Sequence, residues 1–274
     1  MDASSNGRIV AMASRDPSRA REMLSPYPEA RVLDAYDALL ADPEIDAVYN
    51  PLPNSLHREW TIRALEAGKH VLCEKPLAMN AREAEDMAAA ADRTGRLLME
   101  AFMYRFHPDM RAFVERARDP IHVHATFGYT LDDAGDIRFD PALGGGALMD
   151  VGCYAVSVSR WLLGEPVEVL ARARMKHGVD ATATGLLVFE GGGTASVWAS
   201  FESSEVQELE VITPDGLLRR TKPFSSWRDP HDPYQLMVES FGDSIRHGEP
   251  VHIPPSESIA NMRALDRIRE AFSS

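Results

Sequence analysis

Short apolar runs alternate with helical patterns over the first hundred residues, and that alternation restricts the chain to a narrow set of folds. Residues 8–13 read as a strand, 18–24 and 36–40 as short helices, and 47–50 as a second strand. Residues 55–67 read as a helix that Gly68 ends in the left-handed conformation of a C-terminal cap. A strand over 69–74 follows. Asn80 and Glu83 have the spacing of a capping box for a helix reaching Asp92, and Thr94-Gly95 closes it before a strand over 96–100. Strands separated by helices pair in parallel through right-handed crossovers, so this half is expected to be an α/β domain built on a parallel sheet.

Beyond Tyr104 the period changes to two. Segments 121–130, 167–175, 184–189, 195–201 and 209–212 alternate apolar and polar residues, which predicts a large, mostly antiparallel or mixed sheet with one covered face. Helices over 146–163, 234–247 and 256–271 are expected to supply the cover, making this an α+β domain. The opposite sheet face stays open and is a candidate surface for self-association. The expected division is 1–103 and 104–274, and 274 residues suffice for two compact cores.

Glu74-Lys75-Pro76 stands directly behind the apolar run Val71-Leu72-Cys73, so a buried strand ends in an ammonium group. In parallel α/β sheets, ligands bind outside the carboxyl ends of the strands, which aims that cation into a cleft. In an arbitrary sequence such a lysine merely opens a loop. A second constellation argues against that here: Gly144-Gly145-Gly146 leads into an amphipathic helix carrying Asp150 and Tyr154, four residues apart and hence on one face. A phenol with an ordinary pKa near ~10 is a poor base at neutral pH, and a nearby ammonium favours its ionised form. Lys75 is the candidate to lower the Tyr154 pKa.

With these residues in view, the chain resembles the NAD(P)-dependent oxidoreductases typified by glucose-fructose oxidoreductase and inositol 2-dehydrogenase, the Gfo/Idh/MocA family. Carrying the resemblance are Ala13-Ser14-Arg15-Asp16, the run from Asp46 to His57, Ala67-Gly68-Lys69-His70-Val71-Leu72-Cys73-Glu74-Lys75-Pro76, and the run from Gly144 to Tyr154, all in family order. Glu100-Ala101-Phe102-Met103-Tyr104-Arg105-Phe106-His107-Pro108 and Gly128-Tyr129-Thr130 are most similar to the branch of NADP-dependent D-xylose 1-dehydrogenases and dihydrodiol dehydrogenases. The resemblance implies hydride transfer between nicotinamide and a ring hydroxyl of a sugar, polyol or dihydrodiol. It gives Tyr154 the role of acid or base, Lys75 that of holding the substrate oxygen, and Asp150 that of orienting substrate or relaying the proton. Many members have His where Tyr154 stands. For the cofactor it implies contacts from Ser14, Arg15, Asn50, Leu52, Asn54, His57, Glu74 and Lys75. Ser14 and Arg15 supply a donor and a cation suited to a 2′-phosphate, favouring NADP while allowing NAD. It also implies a homodimer or higher homo-oligomer formed through the C-terminal sheet.

Composition narrows the partners. Twenty-nine basic against 42 acidic residues give a net charge of -13 with no basic block, which disfavours nucleic acid and anionic membrane surfaces. The two cysteines, Cys73 and Cys153, form neither a disulfide framework nor a metal motif, and both are expected to be buried. His122 and His124 share one face of a strand without a third ligand and read as core or interface residues. No signal peptide or membrane span is expected, and the cytoplasm is the default compartment.

One feature of the family is absent: the sequence contains no G-x-G-x-x-G loop to bring backbone amides to a pyrophosphate. Its start matches the second strand of the usual 3-2-1-4-5-6 order, so a middle ladder is expected to be missing, leaving a gap of about 9 to 10 Å to close. Two readings follow: a dehydrogenase represented by a shortened chain, or a sugar-binding or interaction module without dinucleotide binding.

Overall fold

The computed structural model describes residues 4–225 and 230–272. In the first half, β1 (Ala11–Ala13), α1 (Pro17–Met23), β2 (Arg31–Leu33), α2 (Tyr36–Ala41), β3 (Ala47–Asn50), α3 (Asn54–Glu66), β4 (His70–Cys73), α4 (Ala81–Thr94) and β5 (Leu98–Glu100) alternate as expected. Local chemistry sets the helix ends. Asp16 caps α1 through the amides of Ser18 and Arg19, with Pro17 in the first turn. Asn80 accepts from the Glu83 amide, while the Glu83 carboxylate reaches back to the amide of Met79, one residue before the box position. Gly95 ends α4 at φ 63°.

All pairings in this half are parallel, but the strands form two separate sheets, β1-β2 and β3-β4-β5. With the family's numbering of strands in mind, the break falls where the first strand would lie. β1 and β3 do not close it. Inside the three-stranded sheet Val71, Leu72, Cys73, Leu98 and Met99 are buried, and each large side chain so placed contributes about 1.5–3 kcal/mol. Strand β2 was not expected from the sequence: it is three residues long and half exposed, too short to show a period.

A 3-10 turn (Met103–Phe106) leads into α5 (Pro108–Arg116), a helix the sequence reading also missed. Then come β6 (His122–Thr130), a turn region, α6 (Cys153–Leu163), β7 (Pro166–Lys176), β8 (Val179–Phe189), β9 (Thr194–Ser200), β10 (Glu202–Thr213), β11 (Gly216–Thr221), α7 (Pro233–His247) and α8 (Pro255–Ala271). The last six strands form one sheet in the order β11-β10-β6-β9-β8-β7, antiparallel except for the parallel pair β6-β9. Its inner face, including Val123, Ala125, Leu187, Val197 and Leu209, belongs to a core that continues into the first half through Leu72, Met87 and Met99. Helix α8 returns to the first half: Asp266 accepts from the Ala81 amide at 2.8 Å, and Arg269 donates to the Met79 carbonyl at 2.7 Å. The two halves are therefore joined by a shared core and by polar contacts from one helix.

One stretch, Pro141–Leu163, is long and apolar enough to cross a membrane by length and composition, contrary to expectation. Its apolarity serves the core, because 78% of its window is buried inside the fold. Cys73 and Cys153 are buried free thiols. His122 and His124 lie half-buried on the outer sheet face, sharing the Ser196 hydroxyl.

Candidate active site

At the carboxyl end of β4, Lys75 extends across to the start of the helix that leads into α6. Its ammonium donates to the Asp150 main-chain oxygen at 2.7 Å and to the Asp150 carboxylate at 3.2 Å. The second carboxylate oxygen of Asp150 accepts from the Tyr129 hydroxyl at 2.7 Å and lies 3.5 Å from the Arg138 guanidinium. Asp150 is thus held from three elements. Burial alone would raise its pKa, but Lys75, the Tyr129 hydrogen bond and Arg138 outweigh burial and hold it below the ordinary carboxylate value. Burial likewise opposes the charge on Lys75; Asp150 overcomes it and raises the ammonium pKa.

The glycine run is not a flexible turn. A Cβ on Gly145 would stand 2.4 Å from the Arg138 carbonyl oxygen, and Gly146 has φ +116° with the Asp180 carboxylate 2.2 Å from where its Cβ would be. Behind it the chain makes a π turn (Leu148–Gly152) before α6, so Asp150 sits in widened helix and Tyr154 in regular helix. Such π segments recur at functional sites. The helix start lacks a side-chain cap of its own, and Asp180 supplies one from β8 by accepting the Leu148 amide at 2.7 Å.

Tyr154 meets Lys75 differently than expected. The ammonium lies over the phenol ring, 5.2 Å from its centroid, and Phe102, Tyr104, Phe127 and Phe224 surround the ring at 5.3 to 5.8 Å. Burial raises the Tyr154 pKa well above its ordinary value, and the lowering by Lys75 is the smaller effect. The expectation that Lys75 brings this phenol down is corrected for the free protein.

The remaining sequence candidates divide into groups. Glu74 accepts from the Tyr49 hydroxyl and from the Lys75 amide. The side chain of Asn54 donates to the Gly144 carbonyl at 2.9 Å, joining α3 to the glycine run. Asn50 is buried, donating to Thr61 and accepting from the Leu52 amide, so it shapes the turn after β3. His57 is fully buried, with its ring nitrogens 3.0 Å and 2.7 Å from the Pro76 and Leu52 carbonyl oxygens, and burial holds its pKa down. It ties the two loops together and does not face an open cleft; its place as a polar residue at the start of α3 gave no sign of this. Leu52 is half-buried on the same turn. Ser14, whose hydroxyl accepts from the Asp16 amide, and the exposed Arg15 follow β1; no described contact joins them to the Lys75 cluster. Arg105 turns away to Glu257 and Trp161. Arg138, Asp180 and Tyr49 were missed, since each reaches the site from more than ten residues away in sequence with no local motif.

A strand-end lysine bridged to a helix-borne aspartate and tyrosine, between a parallel α/β half and a mixed-sheet half, is the arrangement of a two-domain nicotinamide-dependent oxidoreductase. The chain belongs to the GFO/IDH/MocA oxidoreductase family: residues 1–102 match its NAD-binding Rossmann-fold model and residues 117–219 its C-terminal domain model. It is 39% identical to a D-xylose 1-dehydrogenase (NADP(+)) of Haloferax volcanii over 97% of this chain and 90% of that protein. Among solved structures it is similar to a 3-ketoreductase from Actinomadura kijaniata in complex with NADP and TDP-benzene, at 30% identity and TM-score 0.89, covering 96% of this chain and 89% of that one. An aldose-aldose oxidoreductase from Caulobacter crescentus, complexed with glycerol, gives TM-score 0.90 at 26% identity over 97% and 90% of the two chains.

Proposed function

We propose that the chain acts on a ring-borne hydroxyl or keto group of a sugar, polyol or dihydrodiol with NADP as the preferred cofactor, residues 1–103 serving the nucleotide and 104–274 the substrate. The single observation that carries this reading is the Lys75–Asp150–Tyr129 contact, whose ammonium also lies over the Tyr154 ring at 5.2 Å. The residues present fit the two ends of the cofactor. Arg15, exposed after β1, suits a 2′-phosphate; Asn50, Leu52, Asn54, His57 and Glu74 frame the nicotinamide ribose side, with Asn50 and His57 acting by holding the loop.

The nicotinamide, when bound, supplies or accepts the hydride. The chain's own residues manage the oxygen and its proton. In the reductive direction Tyr154 gives its proton to the oxygen that becomes the hydroxyl, and Lys75 donates a hydrogen bond to that oxygen as charge develops on it. Asp150, held anionic, keeps Lys75 charged and orients a neighbouring hydroxyl. A phenol raised by burial enters the cycle protonated, which suits reduction of a ketone.

The break between β1 and β3 favours a second reading, a non-catalytic sugar-binding or interaction module without dinucleotide binding. Titration of the purified 274-residue chain with NADPH, followed by nicotinamide fluorescence beside a chimera carrying a G-x-G-x-x-G strand-turn-helix at its start, separates the two. Binding restored or strengthened in the chimera, together with turnover on an aldose and polyol panel at 340 nm, is the expected result. Absence of binding by either form would remove the enzyme reading. We also propose a cytoplasmic location, with neither nucleic acid nor membrane as partner.

A further inference from the structure

We propose that two buried carboxylates, Glu100 and Asp180, are positioning residues that set the Lys75–Asp150 contact by holding the main chain on either side of it. The proposal rests on the reading of Lys75 and Asp150 as catalytic residues. Glu100 is the last residue of β5, 1% exposed, and accepts from the amide of Leu77 at 2.8 Å. Leu77 lies two residues beyond Lys75. Asp180, 6% exposed at the start of β8, accepts from the amide of Leu148 at 2.7 Å, two residues before Asp150. Each partner of the central contact is therefore flanked by a backbone amide tied to a buried carboxyl group on a different strand.

Neither carboxylate is where packing alone would put one. Burying an ionisable group without a task costs several kcal/mol, and apolar residues of similar volume fill such positions at no comparable cost. Asp180 also imposes a glycine at 146, since any Cβ there would collide with its oxygen. Around Glu100 the surroundings are built for a polar group. Its second oxygen and the Arg105 Nε are buried without a geometric hydrogen-bond partner among the described residues, and the nearby Ser258 hydroxyl favours its anion. Arg105 and Arg160, paired with Glu257, stand near enough to favour its anion. The bond to the Leu77 amide ties this polar pocket to the loop that carries Lys75.

The test reads Lys75 itself. Reductive methylation of the folded chain, with Lys75 occupancy followed by peptide mass spectrometry, reports how far that ammonium is held against Asp150 without any need for turnover. Glu100→Ala and Asp180→Ala are expected to raise the Lys75 labelling rate at least about fivefold, while Glu100→Gln and Asp180→Asn, which keep an oxygen acceptor, stay within about twofold of the parent. In turnover assays the two Ala variants lose kcat with little change in cofactor KM, and the amide variants recover it. Equal labelling in parent and Ala variants would overturn the proposal. Should the Ala variants not fold, hydrogen exchange in the parent decides: Leu77 and Leu148 amides as slow as those of β4 are expected, and exchange at open-loop rates overturns it. Faster labelling with unchanged turnover would leave the brace standing and remove the catalytic reading.

Discussion

Tyr154 sits among four aromatic side chains with the Lys75 ammonium over its face and not at its hydroxyl. Desolvation of a phenolate in that setting outweighs a cation placed over the ring, so the free protein holds a protonated phenol throughout the neutral range. The consequence differs by direction. As an acid Tyr154 is ready at any pH below its raised pKa, so ketone reduction is expected to show no titration from this group between pH 6 and 9. As a base it must first ionise, and alcohol oxidation is expected to rise about tenfold per pH unit without a plateau up to pH 9. A pH-rate profile of kcat/KM in both directions checks this, and a plateau in the oxidative limb below pH 9 contradicts it. Removing either group tests the same cluster: Tyr154→Phe is expected to lower kcat by roughly 10²- to 10⁴-fold through loss of the proton, and Lys75→Ala by a comparable factor. Unchanged steady-state turnover in either variant would remove this mechanism.

Elements were legible in the sequence where a period or a cap is long enough to be seen. Strands β3 and β4, helices α3, α4, α7 and α8, and the lysine at the end of β4 follow from apolar runs, Asn80, Gly68 and Gly95. Strand β2 and helix α5 left too weak a pattern, and β11 is an edge strand with mostly exposed residues. Contacts made across sequence, such as Arg138 on Asp150 or Asp180 on Leu148, have no local signature at all. The buried acid at the end of β5 shows what this hides. Burial pushes the Glu100 pKa from its ordinary 4.5 up to about 7, against the opposing pull of Ser258, the Leu77 amide and the two arginines. Between those two values the folded chain keeps a proton that the unfolded chain has lost, so this group's contribution to stability falls as pH rises from about 4.5 to 7 and is level above that. The difference amounts to roughly 3 kcal/mol. Thermal melts of the parent and Glu100→Gln across pH 5 to 8 should diverge in that sense, with the variant gaining on the parent as pH climbs; parallel curves would contradict it.

At the scale of the molecule, the six-stranded sheet covers one face with α6 and α8 and leaves the other open. Register aligns that outer face into rows. Leu170, Leu186, Ser196, His124, Glu210 and Arg219 form one, and Val188, Thr194, His122, Ile212 and Leu217 follow in the next. Leu170, Leu186, Ile212 and Leu217 are 57%, 40%, 45% and 55% exposed, more apolar surface than a lone sheet face ordinarily presents. Its centre is polar but largely paired within the sheet, because both ring nitrogens of His122 and the Nδ1 of His124 meet the Thr194 and Ser196 hydroxyls and Glu210 pairs with Arg219. A face of leucines around a self-paired polar centre suits a two-fold contact with a second copy, each row meeting its equivalent. Against it stands a net charge of -13 per chain, whose repulsion salt screens. Sedimentation velocity is therefore expected to give a dimer that tightens with added salt. Leu186→Glu together with Leu170→Glu should weaken it by at least about a hundredfold, by placing carboxylates where two apolar rows would meet. Both side chains are exposed on the outer sheet face and make no described contact with Lys75 or Asp150, so NADPH binding and turnover per chain should survive the change; a parent chain that stays monomeric at high concentration and high salt would refute the assignment.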